Sequence, residues 1–209
     1  IAAGVVAAIF AYLIGLPVLR LKSDYLAIAT LGFAEIIRAV FQWDKLGPLT
    51  NGSNLLRSYP TFKSVIFPFV VAGICIAIIV MLINSTYGRA FKAIRDDEIA
   101  AGASGINITY MKVLVFAISA FFAGIAGGIF AQYIGALTPS MAGWLQSINY
   151  VIMVVFGGMG SLTGSIVAAV GLTILPELLR AFSAYRMLVY SVVLVIIMVF
   201  RPQGLFGNW

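Results

Sequence analysis

The sequence predicts an all-α, polytopic membrane protein: a helical bundle of about six to seven transmembrane segments with one short cytoplasmic helix between two of them. Three observations predict it. Apolar residues fill 62% of the 209 positions and charged residues only 10%, against about 25% charged in soluble domains, so a water-facing surface could not be covered. Apolar runs of about 17 to 25 residues, the length that crosses a bilayer as a helix, recur along the chain. The basic residues fall between those runs, with a bias to one side.

The elements follow in order. Residues 1–19 form the first span. The second, 25–43, is interrupted by Glu35 and Arg38, which lie at i, i+3 and can pair on one helix face. Residues 44–63 form an extracytoplasmic loop with turn chemistry in Pro48 and Asn51-Gly52. The third span, 64–85, is the most apolar, and the fourth covers 111–134. A short apolar run at 146–156 precedes FGGMGSLTGS, 156–165, whose four glycines predict a tight turn or broken helix. The runs 162–179, with Pro176-Glu177 near its end, and 185–200 complete the set, and RPQGLFG at 201–207 closes it with a helix stop. The whole chain, 1–209, reads as a single transmembrane domain.

Alternating the helices gives an orientation. With residues 87–110 on the cytoplasmic side, Arg20, Lys22, Arg89, Lys92, Arg95, Lys112 and Arg201 face the cytoplasm. Lys45, Arg57, Lys63, Arg180 and Arg186 face outward. The bias agrees with the positive-inside rule. The chain opens on Ile1 without an initiator Met, which leads us to expect further spans upstream in a longer protein.

The charged stretch GRAFKAIRDDEIAAGASGI, 88–106, stands out. Six of the 20 charged residues lie between Arg89 and Glu98. Arg89, Lys92 and Arg95 read as the basic end of the third helix. Asp96, Asp97 and Glu98 then cap and start a new helix of about two turns, which Gly105 stops. Its small residues Ala100, Ala101, Ala103 and Ser104 suit docking into a groove on a partner.

In the fourth span Ala120, Gly124 and Gly128 recur every four residues, as do Ala123, Gly127 and Ala131, a spacing that lets membrane helices approach closely. Gly157, Gly158 and Gly160 are candidates for a hinge, and Thr30, Ser119 and Asn149 for polar contacts along a pathway. Other chemistries lack material. There is no histidine, and the one cysteine, Cys75, lies in an apolar run, so neither a metal nor a disulfide framework nor a catalytic centre is expected. No G-x-x-x-x-G-K-[ST] loop is present to cradle nucleotide phosphates.

Taken in order, LPVLRLKSDYLAIATLGFAEIIR at 16–38, the stretch at 88–106, FAISAFFAGIAGGIFA at 116–131, VFGGMGS at 155–161 and RPQGLFG at 201–207 resemble the permease subunits of bacterial ATP-binding-cassette importers. The resemblance is to the branched-chain amino-acid type, the LivM-like permeases, and covers nearly the whole chain. It departs from the general importer motif Glu-Ala-Ala-x-x-x-Gly: Ala100, Ala101 and Gly105 are in place, but Ile99 stands where the Glu would be.

The resemblance implies a multi-pass protein of the bacterial inner membrane that imports branched-chain or related amino acids delivered by an extracytoplasmic binding protein. Its implied partners are ATPase subunits carrying ATP and Mg, a second similar permease and membrane lipid, with no cofactor on this chain and no nucleic acid. Arg89, Arg95, Asp96, Asp97, Glu98, Ala100, Ala101 and Gly105 would then couple to the ATPase. An importer permease for urea or short amides is the alternative within the same machine, and a secondary transporter the alternative outside it.

Overall fold

A computed structural model of the chain describes residues 1–19, 21, 23–43, 64, 66–138, 141, 143–158, 160–178, 192, 195 and 204. Among them are eight α-helices, and three are long and apolar enough to cross a membrane. They are α1 (Ala2–Val18), α2 (Ser23–Gln42), α3 (Ile66–Asn84), α4 (Thr86–Asp96), α5 (Glu98–Ala103), α6 (Ile108–Ile134), α7 (Trp144–Gly157) and α8 (Leu162–Leu178). Six of the seven expected membrane segments are thus helical. Of the seventh, 185–200, only Val192 and Val195 are described, both helical, and the 44–63 loop with Lys45, Asn51 and Arg57 and most of RPQGLFG fall outside the described residues.

Contacts group the chain into two units, Ile1–Met141 and Ala142–Trp209. The first is organised by one seam, α1 against α6. Ala3 lies against Gly128, Gly4 against Phe121 and Ile125, and Gly15 against Phe116, so the two helices run antiparallel. The small-residue spacing on α6 explains the seam. A Cβ added at Gly124 would stand 2.7 Å from the Ala3 carbonyl oxygen and 2.8 Å from the Ala7 Cβ. Glycine there lets the backbones touch, the contact that holds helices together in lipid, where apolar side chains gain nothing from leaving a solvent as apolar as themselves. The second small-residue row points elsewhere: Gly127 has no atom within 4 Å of where its Cβ would be.

Helix lengths place the site. The 19 residues of α3 extend about 28 Å at 1.5 Å each, close to the bilayer's hydrocarbon thickness. The 27 residues of α6 extend about 40 Å. The surplus, near two turns, carries the charged start of α6 beyond the hydrocarbon. Leu16 of α1 meets Asn107, Thr109 and Val113 around one groove, so the end of α1 and the start of α6 share one membrane face with α4 and α5.

One expectation is corrected. Arg89, Lys92 and Arg95 do not end the third span. That helix stops at Asn84, Ser85 caps a new one, and the three cations ride on α4. The Ser85 side chain accepts from the Gly88 N–H and donates to the Leu82 carbonyl at 2.6 Å. Any Cβ at Gly88 would run into the Ile83 carbonyl, so only glycine permits this exit from α3.

In the second unit α7 packs on α8 around Phe156, Ala168 and Leu172, with Met153 against them. The turn between them is tight. Gly157 is buried, and its Cβ would lie 2.5 Å from the Gly164 carbonyl oxygen. Gly158 takes φ 104 and Ser161 Oγ accepts from the Gly164 N–H at 3.0 Å. Gly204, at φ 84, rests on this turn, with a Cβ position only 2.6 Å from the Gly158 Cα. Two motifs 40 or more residues apart in the sequence therefore meet backbone to backbone.

Candidate functional site

The site is built on α5. Six residues are too few to hold a helix in water, and three devices hold this one. Asp97, with extended backbone, accepts from the Ile99 N–H at 2.8 Å and the Ala100 N–H at 3.0 Å. At the other end Gly105 takes φ 83, the Ile106 N–H reaches the Ala101 carbonyl and the Gly105 N–H reaches the Gly102 carbonyl, a Schellman stop. Between them Lys112 Nζ of α6 donates to both carboxylate oxygens of Glu98 at 2.7 Å.

This geometry gives each candidate a place. Asp96 is corrected: it is the last residue of α4, paired with Arg95 at 2.9 Å, and of the three acids only Asp97 caps and Glu98 starts α5. Arg89 sits near the start of α4 and donates to Thr86 Oγ1 at 3.1 Å. Ala100, Ala103 and Ser104 are exposed. Ala101 is corrected: at 3% exposure it is the seat of the helix and not part of its presented face. A Cβ at Gly102 would meet Ile108 Cδ1 at 3.0 Å, so this side of α5 is pressed against α6. The residue that projects is Ile99, 85% exposed. Sequence reasoning noted Ile99 only as a departure from a motif; its apolar character on a polar, capped segment was the signal available.

The other candidates separate. Ala120, Gly124 and Gly128 belong to the membrane-embedded helix of the α1–α6 seam. Thr30 Oγ1 donates to the Ala27 carbonyl and Ser119 Oγ to the Val115 carbonyl, each within its own helix. Thr30 on α2 and Ser119 on α6 are carried by helices with no extended contact with each other, and Asn149 lies on α7 in the second unit. Gly157, Gly158 and Gly160 form the tight turn described above. Glu35 and Arg38 pair at 3.2 Å on α2 as expected. Among the described residues no group of His, Cys, Asp or Glu is arranged to hold a metal.

Comparison with known proteins gives a consistent picture. The family model described as branched-chain amino acid transport system, permease component, matches residues 1–200. The permease protein LivM of the high-affinity branched-chain amino acid transport system of Salmonella typhimurium is 37% identical over 97% of this chain and 55% of its own length. The LivH permease of the corresponding system in Escherichia coli K12 is 28% identical over 76% of this chain and 51% of its own. The fructose import permease FrcC of Rhizobium meliloti is 31% identical over 48% of this chain and 29% of its own. The chain spans about half the length of the LivM and LivH relatives it matches. No solved structure matches it.

Proposed function

The chain belongs to the family of permease components of branched-chain amino acid transport systems, and from that premise we propose that it is a translocating subunit of an ATP-driven importer for branched-chain or related amino acids. In this reading it sits in the bacterial inner membrane beside a second permease, two ATPase subunits that carry ATP and Mg, and an extracytoplasmic binding protein. The chain itself hydrolyses nothing and binds no cofactor. The observation that carries the coupling role is Ile99, 85% exposed on a six-residue helix fixed at both ends. An apolar knob on a charged, capped segment fits a cleft in a protein partner.

The other coupling residues have supporting tasks. Asp97 and Gly105 set the ends of α5, Glu98 ties it to α6, and Ala101 seats it. Ala100 lies beside Ile99 on the open side. Arg95 and Asp96 pair at the joint with α4, and Arg89 lies on the first turn of α4, bonded to Thr86 of the same turn. Closure of the ATPase pair would press on α5, and α6 would take up the displacement. Thr30, Ser119 and Asn149 remain proposed contacts for a zwitterion, and the Gly157–Gly160 turn a proposed hinge. The similarity to a fructose import permease favours a second reading, in which the same machine carries another small polar solute such as urea or an amide.

Reconstitution in vesicles tests this. The full permease pair, the neighbouring ATPase and the binding protein are assayed for ATP hydrolysis with and without leucine. Stimulation by leucine-loaded binding protein, with matching uptake, is expected. Hydrolysis that ignores leucine but follows another small solute would keep the machine and change the cargo. Failure to assemble with any ATPase would overturn the importer reading.

A further inference from the structure

Helix α4 is amphipathic. At 100° per residue Tyr87, Ala90, Phe91 and Ile94 share one side, and Arg89, Lys92 and Asp96 share the other. Its depth follows from α3, whose 19 residues, without a charge and ending at Asn84, nearly match the hydrocarbon thickness. Two residues later α4 begins, turned off the end of α3 by the Ser85 cap and the Gly88 contact. It therefore starts in the headgroup layer.

The charges there are unevenly matched. Arg95 is paired with Asp96 and Lys112 with Glu98. Among the described residues the Arg89 guanidinium donates only to the Thr86 hydroxyl, and Lys92 has no carboxylate within ion-pair distance. Beside Arg89 lies a groove of about 520 Å³ whose walls include Ala90, Ala93, Ile106 and Met111. A guanidinium at the mouth of an apolar groove, at headgroup depth, is complementary to an amphiphile whose polar end is an anion.

We propose that α4 holds an anionic phospholipid, its phosphate on Arg89 and Lys92 and its proximal acyl segment in the groove. The lipid fixes α4 along the membrane face, and α5, one residue further on, is presented at a constant height. An acidic face on a protein partner would satisfy the two cations but would leave the groove's apolar walls uncovered. The inference rests on α3 crossing the bilayer, not on which solute is carried.

The test is native mass spectrometry of the full-length permease in its complex, released from nanodiscs holding equal phosphatidylglycerol and phosphatidylcholine of identical chains. Wild type is expected to retain phosphatidylglycerol preferentially. Arg89→Gln with Lys92→Gln should lower that preference roughly thirtyfold, the product of two interfacial cations, while Arg89→Lys with Lys92→Arg retains it. Equal retention of both lipids by wild type, or an unchanged preference in the double glutamine variant, would overturn the proposal. So would displacement of the lipid by inorganic phosphate, which would identify a soluble anion as the ligand. Lys92 that cross-links to a partner's carboxylates while lipid preference stays flat would assign the cations to a protein. Because the readout is retained lipid, a failed leucine assay leaves it untouched.

Discussion

Glu98 and Lys112 stand 14 positions apart, on either side of a helix stop, and close to 2.7 Å. The pair is half exposed, so its direct worth is small, about 0.5 kcal/mol as a surface ion pair. Its effect is positional: it is the side-chain tie between α5 and α6. Glu98→Lys should therefore uncouple ATP hydrolysis from the binding protein without preventing membrane insertion, and Lys112→Glu should do the same. The combined exchange should restore much of the coupling, since the two substitutions share one interaction. Stimulated hydrolysis across that four-member cycle checks it; normal stimulation in either single variant would sink the assignment. Asp97→Ala should loosen α5 by about 1 kcal/mol, read as faster hydrogen exchange at residues 99–104, whereas Asp97→Ser preserves most protection. The acidic start of α5 and its glycine stop were legible in the sequence because caps are local and chemically distinctive. Lys112 as the partner was not, because a contact across a turn leaves no periodic trace. The inward face of Ala101 was hidden for a related reason: in a helix of six residues, burial is decided by what the helix leans on.

Among the elements, the six spans within the described residues were read almost to their ends from apolar runs alone, since length in lipid is set by the bilayer. The split between α3 and α4 was missed. Hydropathy falls at Ser85 whether a helix ends there or merely leaves the membrane, and only the Gly88 contact with the Ile83 carbonyl separates the two cases. The α1–α6 seam was half legible: the spacing of Gly124 and Gly128 announced close packing but not the partner. It can be tested with cysteine chemistry. A Cβ at Gly128 would lie 3.6 Å from the Ala3 Cβ, inside the range a disulfide bridges. With Cys75 replaced by Ser, Ala3→Cys with Gly128→Cys should oxidise to an intramolecular disulfide in membranes, and adding Gly124→Leu should abolish it. Persistent cross-linking in the triple variant would count against the seam. In the second unit Gly204→Ala forces a Cβ onto Gly158 in a left-handed conformation, so lower expression and a lower melting temperature are expected, while Gly160→Ala at the exposed corner is milder.

Across the first unit, the antiparallel seam and the shared position of Leu16 with Asn107 and Thr109 fit the alternation of spans derived from charge. The end of α2 and the crest of α5 then fall on opposite membrane faces. Trp43→Cys should react with a membrane-impermeant thiol reagent in intact cells, and Ile99→Cys only in inverted vesicles. Labelling of both from one side would break the topology. The direction of that assignment rests on Lys and Arg, many of them in segments such as Arg20 and Lys22 that lie outside the described residues, so the sequence carries it more directly than the packing does.

The backbone contact along α1 and α6 also has a mechanical side. Two rods joined over most of their length resist bending far more than either alone, because flexing one must stretch or compress the other. Under the proposed coupling role, a load delivered at Ile99 and passed through Lys112 would therefore not be absorbed by curvature in α6. In the proposed importer it would emerge as a tilt of the joined pair, carried along the roughly 24 Å of helix between Lys112 and Gly128, where Ala3 lies alongside.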